Sequence, residues 1–312
     1  MGRLERASIV FAVTACLALP AAGAEPERRA VAYLAREAPK WHAENHCFSC
    51  NNNGDAARAL FLASARGYAV PTSALEDTVR WLRDPGAWSQ NGGSPGFNDK
   101  RLARIQFAAA LAEAWRSGYT RDRDALMLAA DSLVAAQEPE GSWKIDTGGV
   151  AGAPATYGSC LATYMARLTL ETADPGRFAQ PIRRANQWMQ AAQPQNVLDR
   201  AAILLALPDT AASHLEPLLS AQTSDGGWGP QPRTPAEAFD TAVALLALHG
   251  IRQTRVTTAA IERGRAFLVK FQLPDGSWPE TTRPAGFTSY AERVSTAGWA
   301  AYALLIASPK GN

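Results

Sequence analysis

The sequence predicts an all-α fold, an (α/α)6 toroid built from six helical hairpins. Three observations lead there. Apolar residues recur at spacings of three and four along the chain, with almost no alternation of period two. Consecutive helical segments alternate in character, an amphipathic one followed by one that is apolar nearly all round. A turn of the form Gln-x3-Gly-x-Trp also recurs. A helix that is apolar on every side must be buried on every side, whereas an amphipathic one can cover it and face water. Six of each, in alternation, close into an inner ring wrapped by an outer one.

The hairpins follow in order. The first pairs 26–43 with 54–67, the second 72–84 with 99–117, and the third 122–137 with 156–171. The fourth pairs 177–193 with 197–207, the fifth 209–222 with 236–250, and the sixth 255–272 with 292–307. The segment from Pro181 to Trp188 shows the outer type, with Arg183, Arg184 and Gln187 on one side. The segments Asp240–Leu248 and Ala297–Ala307 show the inner type, where abundant Ala allows close packing around an axis. Outer-to-inner connections (86–98, 138–155, 223–235, 273–291) are long and rich in Gly, Pro and Trp, and the reverse connections are short. The long loops therefore share one face, the face to which the inner helices present their N-termini and their free N–H groups. Any binding site is expected at that mouth.

The recurring turn reads Gln137, Gly141, Trp143, then Gln222, Gly226, Trp228, then Gln272, Gly276, Trp278. A worn copy keeps Gln193 alone. A Gln at a helix end can bond backbone groups that the helix leaves unpaired, with the Trp stacking over it, and these tryptophans read as packing residues. The turns resemble the QW repeats of squalene-hopene and oxidosqualene cyclases, whose α/α toroid is shared with the β subunits of protein prenyltransferases. The resemblance covers roughly 81–305 and implies an architecture before it implies a reaction. It extends to Glu237-Ala238-Phe239-Asp240-Thr241-Ala242, which is similar to the DxDDTA motif of squalene-type cyclases. Asp240, Thr241 and Ala242 match, and Glu237 stands at the first acid. Phe239 occupies the position of the proton-donating Asp, which argues against a self-sufficient triterpene cyclase. The prenyltransferase resemblance implies zinc held by Asp, Cys and His; Cys160 has a suitable place, but no His lies near a late inner-helix start.

The first residues read as a secretory signal: Arg3 and Arg6, an apolar core from Ile9 to Leu19, and Ala22-Gly23-Ala24 before Glu25. The expected division is a signal peptide at 1–24 and one toroid domain at 25–312, in the periplasm or secreted. Cys16 follows Val13-Thr14-Ala15 and offers the alternative of a lipoprotein anchor. The apolar run is too short to cross a bilayer, so no membrane span is expected. Without Arg3, Glu5 and Arg6 the formal charge falls from +2 to +1, which points to no nucleic-acid partner.

The starts of the inner helices bring together Asp55, Asp99 with Arg101, Tyr157 with Cys160, Asp199 with Arg200, Asp240 with Thr241, and Tyr290 with Arg293. One reading makes the acids helix caps. The other makes the set a ligand site: Asp240, Asp55 and Asp99 as candidate catalytic acids, and Tyr157, Cys160, Asp199, Arg200, Tyr290 and Arg293 as binding residues. The leading function is an exported toroid that holds a small apolar ligand of isoprenoid type in the barrel mouth. The alternative is an enzyme using Asp240 with other mouth acids, cyclase-like or acting on carbohydrate through carboxylates about 5–10 Å apart. A third reading is a redox or metal role for His42, His46, Cys47 and Cys50. Cys47-x-x-Cys50 reads first as a disulfide, then as a zinc site with the two histidines. Its last reading is c-type haem attachment, with Asn51 where the axial His would stand and His42 or His46 in its place.

Overall fold

The computed structural model describes residues 25–92, 100–145 and 150–308. Residues 1–24, where a signal segment with Cys16 is expected, Asp99, and parts of the 86–98 and 138–155 loops lie outside the described residues. Twelve α-helices occur among the described residues: α1 (Glu25–Asn45), α2 (Ala57–Ala65), α3 (Glu76–Leu82), α4 (Lys100–Arg116), α5 (Arg123–Ala135) and α6 (Ser159–Ala173). They continue as α7 (Ala179–Ala191), α8 (Val197–Ala206), α9 (Ala211–Ser220), α10 (Ala238–His249), α11 (Arg255–Phe271) and α12 (Tyr290–Ala307). Each even-numbered helix packs on the next, and α12 returns to α2, so the inner ring is closed. Odd-numbered helices cover it from outside, α5 between α4 and α6, α7 between α6 and α8, and α11 between α10 and α12. Ten of the twelve residues of α10 are buried, whereas α11 buries only one stripe including Ala260, Ile261, Phe267 and Leu268. The six hairpins thus stand where the periodicity put them, to within a few residues.

The repeat turns show how the outer layer is stitched. Gln137 Nε2 donates to Gly141 O inside its own turn and to Pro181 O at the start of α7, both at 2.9 Å. Gln222 does the same to Gly226 O (2.7 Å) and Ala260 O of α11 (2.9 Å). Gln272 reaches Gly276 O (3.1 Å) and Pro26 O of α1 (2.9 Å), which closes the ring. An arginine on the receiving helix clamps each glutamine from the other side, Arg184, Arg263 and Arg29 in turn. Each tryptophan is buried and donates its indole N–H to a carbonyl of the preceding outer helix, Leu133, Leu218 and Leu268, at 2.7–2.8 Å. The expected stacking of Trp over Gln is replaced by these two separate jobs. Gly141, Gly226 and Gly276 have φ of +107°, +92° and +94°, and a Cβ there would lie 2.2–2.6 Å from a carbonyl oxygen of the next outer helix. Only glycine permits both that backbone and that approach.

The first inner helix departs from expectation. A π-helix, Cys50–Ala56, precedes α2 and carries Asp55. Ser49 caps it, accepting from Asn51 N at 3.2 Å and Asn52 N at 3.4 Å. Three consecutive asparagines fasten it to other helices. Asn51 accepts from Ser295 Oγ of α12 (2.9 Å), and Asn52 donates to Glu37 O of α1 (2.7 Å). Asn53 donates to Thr78 Oγ1 of α3 at 2.8 Å. π-turns are costly in isolation and occur where function or packing demands them. Here the turn presses Asp55 under α12, where a Cβ on Gly298 would come 2.8 Å from Asp55 O.

Candidate functional site

A polar network lies among the inner helices, and a cavity of about 160 Å3, lined from all six of them, opens beside it at Arg58 and Trp299. Asp55 is 1% exposed and accepts from Gln106 Nε2 (2.8 Å), Tyr157 Oη (2.8 Å) and Ser295 Oγ (2.7 Å). Trp299 Nε1 donates to Tyr157 Oη at 3.0 Å. Burial pushes the Asp55 carboxyl up, opposed by the Arg58 charge and the three hydrogen bonds. Phe239 stacks on Tyr157 at 6.1 Å and meets Trp299 edge-on at 5.6 Å. The Arg58 guanidinium lies over the rings of Trp299 (3.9 Å) and Tyr302 (4.7 Å), a cation held by aromatic faces. The aromatic surface at this level of the axis therefore already has a cation of the chain's own.

A second cluster lies nearer the mouth, where α10 and α12 begin. Arg283 Nη2 donates to Glu237 Oε2 at 2.7 Å and to Asp240 Oδ2 at 3.1 Å. Asp240 does not cap its helix; it is buried, and its Oδ1 has no hydrogen-bond partner. Burial raises its carboxyl well above the usual range, Arg283 opposes this and Glu237 adds to it. Glu292 is 8% exposed, and its Oε2 is likewise without a partner. Burial pushes its carboxyl up to about 7 against the pull of Arg283 and the Ala155 amide. Sequence reasoning missed both Glu292 and Arg283. The offset of Glu292 by two residues from Tyr290 was the available signal. Thr241, matched to the cyclase motif, accepts from Trp228 N at 2.9 Å and serves the repeat turn.

A cleft of about 410 Å3 opens between the start of α6, the end of α7 and the start of α8, and none of Arg283, Glu237, Asp240 and Glu292 lines it. Trp188, Ala151, Ala191 and Ala192 give it an apolar wall, with Cys160, Asn196 and Asp199 among its polar groups. Its volume falls in the roughly 300–1,000 Å3 range of small-ligand sites. Burial beside Asp199 pushes the Cys160 thiol up, so it is a hydrogen-bond donor rather than a nucleophile. Asp199 is not the cap either; Asn196 caps α8, and Asp199 accepts from Gln195 N at 3.1 Å. The segment 151–158 joins cleft and acids: Ala151 lines the cleft, a Cβ on Gly152 would lie 3.6 Å from Arg283 Nε, and Ala155 bonds Glu292.

The other expected residues go elsewhere. Tyr290 donates to Glu37 Oε2 (2.9 Å), accepts from Asn52 (3.0 Å) and stacks with Trp41. Arg293 pairs with Glu280 at 2.9 Å, and Arg101 pairs with Glu138 at 3.4 Å. Burial, with the Arg200 charge added, lowers His214 of α9, and Arg200 does not line the cleft. Asp55 and Asp240 belong to separate networks, so the expected partnership of these acids is not formed. Asp240 has Glu237 as its acid neighbour, but both are fixed on one arginine rather than facing each other across an open cleft as glycoside cleavage requires.

The Cys47-Cys50 reading is corrected. No disulfide joins them. Cys47 Sγ accepts from Trp41 Nε1 at 3.3 Å, while Cys50 begins the π-helix, so the capped turn holds the thiols apart. Nor do His42, His46, Cys47 and Cys50 converge as a zinc site; no group of three metal-binding side chains occurs among the described residues. His42 lies flat on Phe48 at 4.0 Å, and Phe48 on Trp81 at 4.5 Å, an aromatic stack that packs the loop. No described helix is long and apolar enough to cross a membrane.

No family model matches the chain, and no curated protein matches it in sequence. Solved structures do. Type II terpene cyclase MstE from Scytonema in its apo form superposes with a TM-score of 0.55 and 14% identity, over 91% of this chain and 97% of that one. A variant of it in complex with geranylgeranyl dihydroxybenzoate, its substrate, gives 0.55 and 15% over 92% and 99%. A crystal structure of a protein from Actinoplanes gives 0.56 and 14% over 91% and 99%. The chain therefore has the α/α-toroid fold of the squalene-hopene-cyclase-like terpene cyclases, and these identities speak to fold alone.

Proposed function

We propose that the chain is an isoprenoid-binding toroid, which holds an apolar chain in the cleft between α6, α7 and α8, with Cys160, Asn196 and Asp199 available to the ligand's polar end. The observation that carries this reading is a ligand-sized cleft with an apolar wall of Trp188, Ala191 and Ala192. The fold adds support, since MstE structures hold geranylgeranyl dihydroxybenzoate and merosterolic acid A. Calorimetric titration with C15 to C30 polyprenols tests it, alongside Ala151→Trp and Ala192→Trp, which fill the cleft. Binding in the micromolar range, lost at least tenfold in both variants, is expected. Absence of binding to every chain length would remove the proposal.

A second reading is a proton-transfer enzyme, favoured by the buried carboxyls of Asp240 and Glu292, which burial shifts upward. Phe239 stands against it, since it fills the position that the resemblance gives to the proton donor. Incubation with C20 polyenes in D2O decides: deuterated cyclic product, absent in Asp240→Asn, supports the enzyme, and unchanged polyene leaves a binder. On either reading 1–24 directs export, and N-terminal sequencing of protein from a periplasmic extract is expected to start at Glu25.

A further inference from the structure

The cavity among the inner helices is bordered by a cation whose hydrogen bonds are not made. Arg58 is 5% exposed, and no carboxylate among the described residues forms an ion pair with it. Its Nε and Nη2 have no hydrogen-bond partner. Nη1 donates to Met165 Sδ at 3.2 Å, and a thioether is a weak acceptor on a flexible side chain. The Trp299 and Tyr302 rings attract the charge but give its N–H groups no acceptor oxygen. The carboxylates nearby are committed. Asp55, which the Arg58 charge acts on, turns its oxygens to Gln106, Tyr157 and Ser295. Glu113 accepts from Arg116 and from Tyr302 Oη.

Met165, Trp299 and Tyr302, the side chains that the guanidinium touches, all line the cavity of about 160 Å3, so the charged end of Arg58 borders it. The cavity extends toward the C-terminal ends of the inner helices, away from the long loops. Arg116 ends α4, and Leu205 and Ile306 are the residues before the last of α8 and α12. Leu168, Leu205, Leu246 and Ile306 line it and are half-buried, an apolar rim at that end. No residue lines both this cavity and the cleft described above.

We infer that this cavity is a second binding site, for a monocarboxylate with a short apolar body of about six carbons. A buried cation without a partner is costly, and a carboxylate supplies both the charge and two acceptors that match the guanidinium fork. One negative charge answers one unpaired cation. The apolar lining favours methylene groups over a small, strongly hydrated anion. The size follows from the volume, since a cavity of about 150 Å3 accepts benzene. The acid enters carboxylate first past the rim, and its tail rests against Leu168, Leu205, Leu246 and Ile306. The site stands independently of the isoprenoid reading.

The test is calorimetric titration at neutral pH with hexanoate, hexanamide, hexylammonium, acetate and inorganic phosphate. Hexanoate is expected to bind about tenfold or more tightly than hexanamide, which keeps the shape without the charge. Acetate and phosphate, which lack the apolar body, should bind more weakly than hexanoate, and hexylammonium should not bind. Arg58→Gln, checked for an intact melting transition, should bring hexanoate down to the level of hexanamide. Arg80→Gln changes a surface arginine whose side chain is 69% exposed and should leave hexanoate binding as it is. If Arg58→Gln does not fold, Leu205→Trp takes its place, since it crowds the rim and should weaken hexanoate severalfold. Hexanamide bound as tightly as hexanoate would overturn the inference, as would hexanoate affinity that survives Arg58→Gln, or Leu205→Trp in its stead. Phosphate bound equally or more tightly would mean an anion site without the apolar half, and absence of hexanoate binding would mean no site. None of these outcomes touches the isoprenoid reading, which concerns the cleft.

Discussion

At the scale of single residues, two buried acids have measurable signatures in stability. Glu292 has its carboxyl raised from 4.5 to about 7. Below about pH 4.5 the folded and unfolded chains both hold this proton. Between 4.5 and 7 only the folded chain holds it, so ionisation favours unfolding and stability falls as pH rises. Asp240 acts in the same direction. Glu292→Gln should therefore flatten the melting temperature between pH 4.5 and 7 relative to wild type, as scanning calorimetry would show. An unchanged slope would mean that Glu292 titrates normally. On the axis, Tyr157→Phe removes a donor from Asp55 and the acceptor of the Trp299 indole. The cost is about 2–4 kcal/mol by urea unfolding, since the indole N–H is left buried and unpaired.

At the scale of elements, the repeat turn is a joint between neighbouring outer helices, and its glycine is the part that tolerates least. Gly276→Ala would place a Cβ 2.2 Å from Arg29 O on a backbone of positive φ. Steric overlap and backbone strain together predict a loss of about 3 kcal/mol or more. Gly67 supplies the control: its φ is +81°, yet a Cβ there meets nothing within 4 Å. Gly67→Ala should cost only about 1–2 kcal/mol, the strain alone. Denaturant unfolding of the two variants separates the terms, and equal losses would show that close approach contributes nothing. The resemblance to QW repeats located these joints. It gave no sign of Arg29, Arg184 and Arg263, because each lies on the next outer helix, up to 243 residues away in sequence.

At the scale of the whole molecule, ring closure depends on contacts between the two ends of the described chain. Glu27 of α1 is fully buried, pairs with Arg265 of α11, and accepts from Ser308 Oγ at 2.6 Å. Glu27→Ala would take the carboxylate from Arg265, whose side chain is 18% exposed and keeps Leu304 O and Ser308 Oγ at 3.2 Å, at a cost of about 2–3 kcal/mol. Asp77→Ala breaks the Arg80–Asp77 pair on the surface, where the partners are 69% and 47% exposed, and should cost under about 1 kcal/mol. Thermal unfolding of both variants checks the contrast. Comparable melting points would mean that the ring does not rely on this closure.

Periodicity and the alternation of amphipathic with fully apolar segments determined the six hairpins, their order and the face carrying the long loops, because burial of apolar surface is written locally along each helix. Tertiary structure alone decided which polar residues meet. Asp55 and Asp240 share an inner-helix position in the sequence, yet the π-turn carries Asp55 to the axis, to Tyr157 and Ser295, while Arg283 claims Asp240. Cys47 and Cys50 have the spacing of a disulfide, but the Ser49 cap and the Trp41 indole fix a turn in which they do not bond. Glu292 carries no motif at all; its proton affinity comes from Arg283, Glu280, Glu237 and Ala155, groups on three other segments. Helices follow from neighbours in sequence, whereas a site is made of neighbours in space, which ring closure brings together.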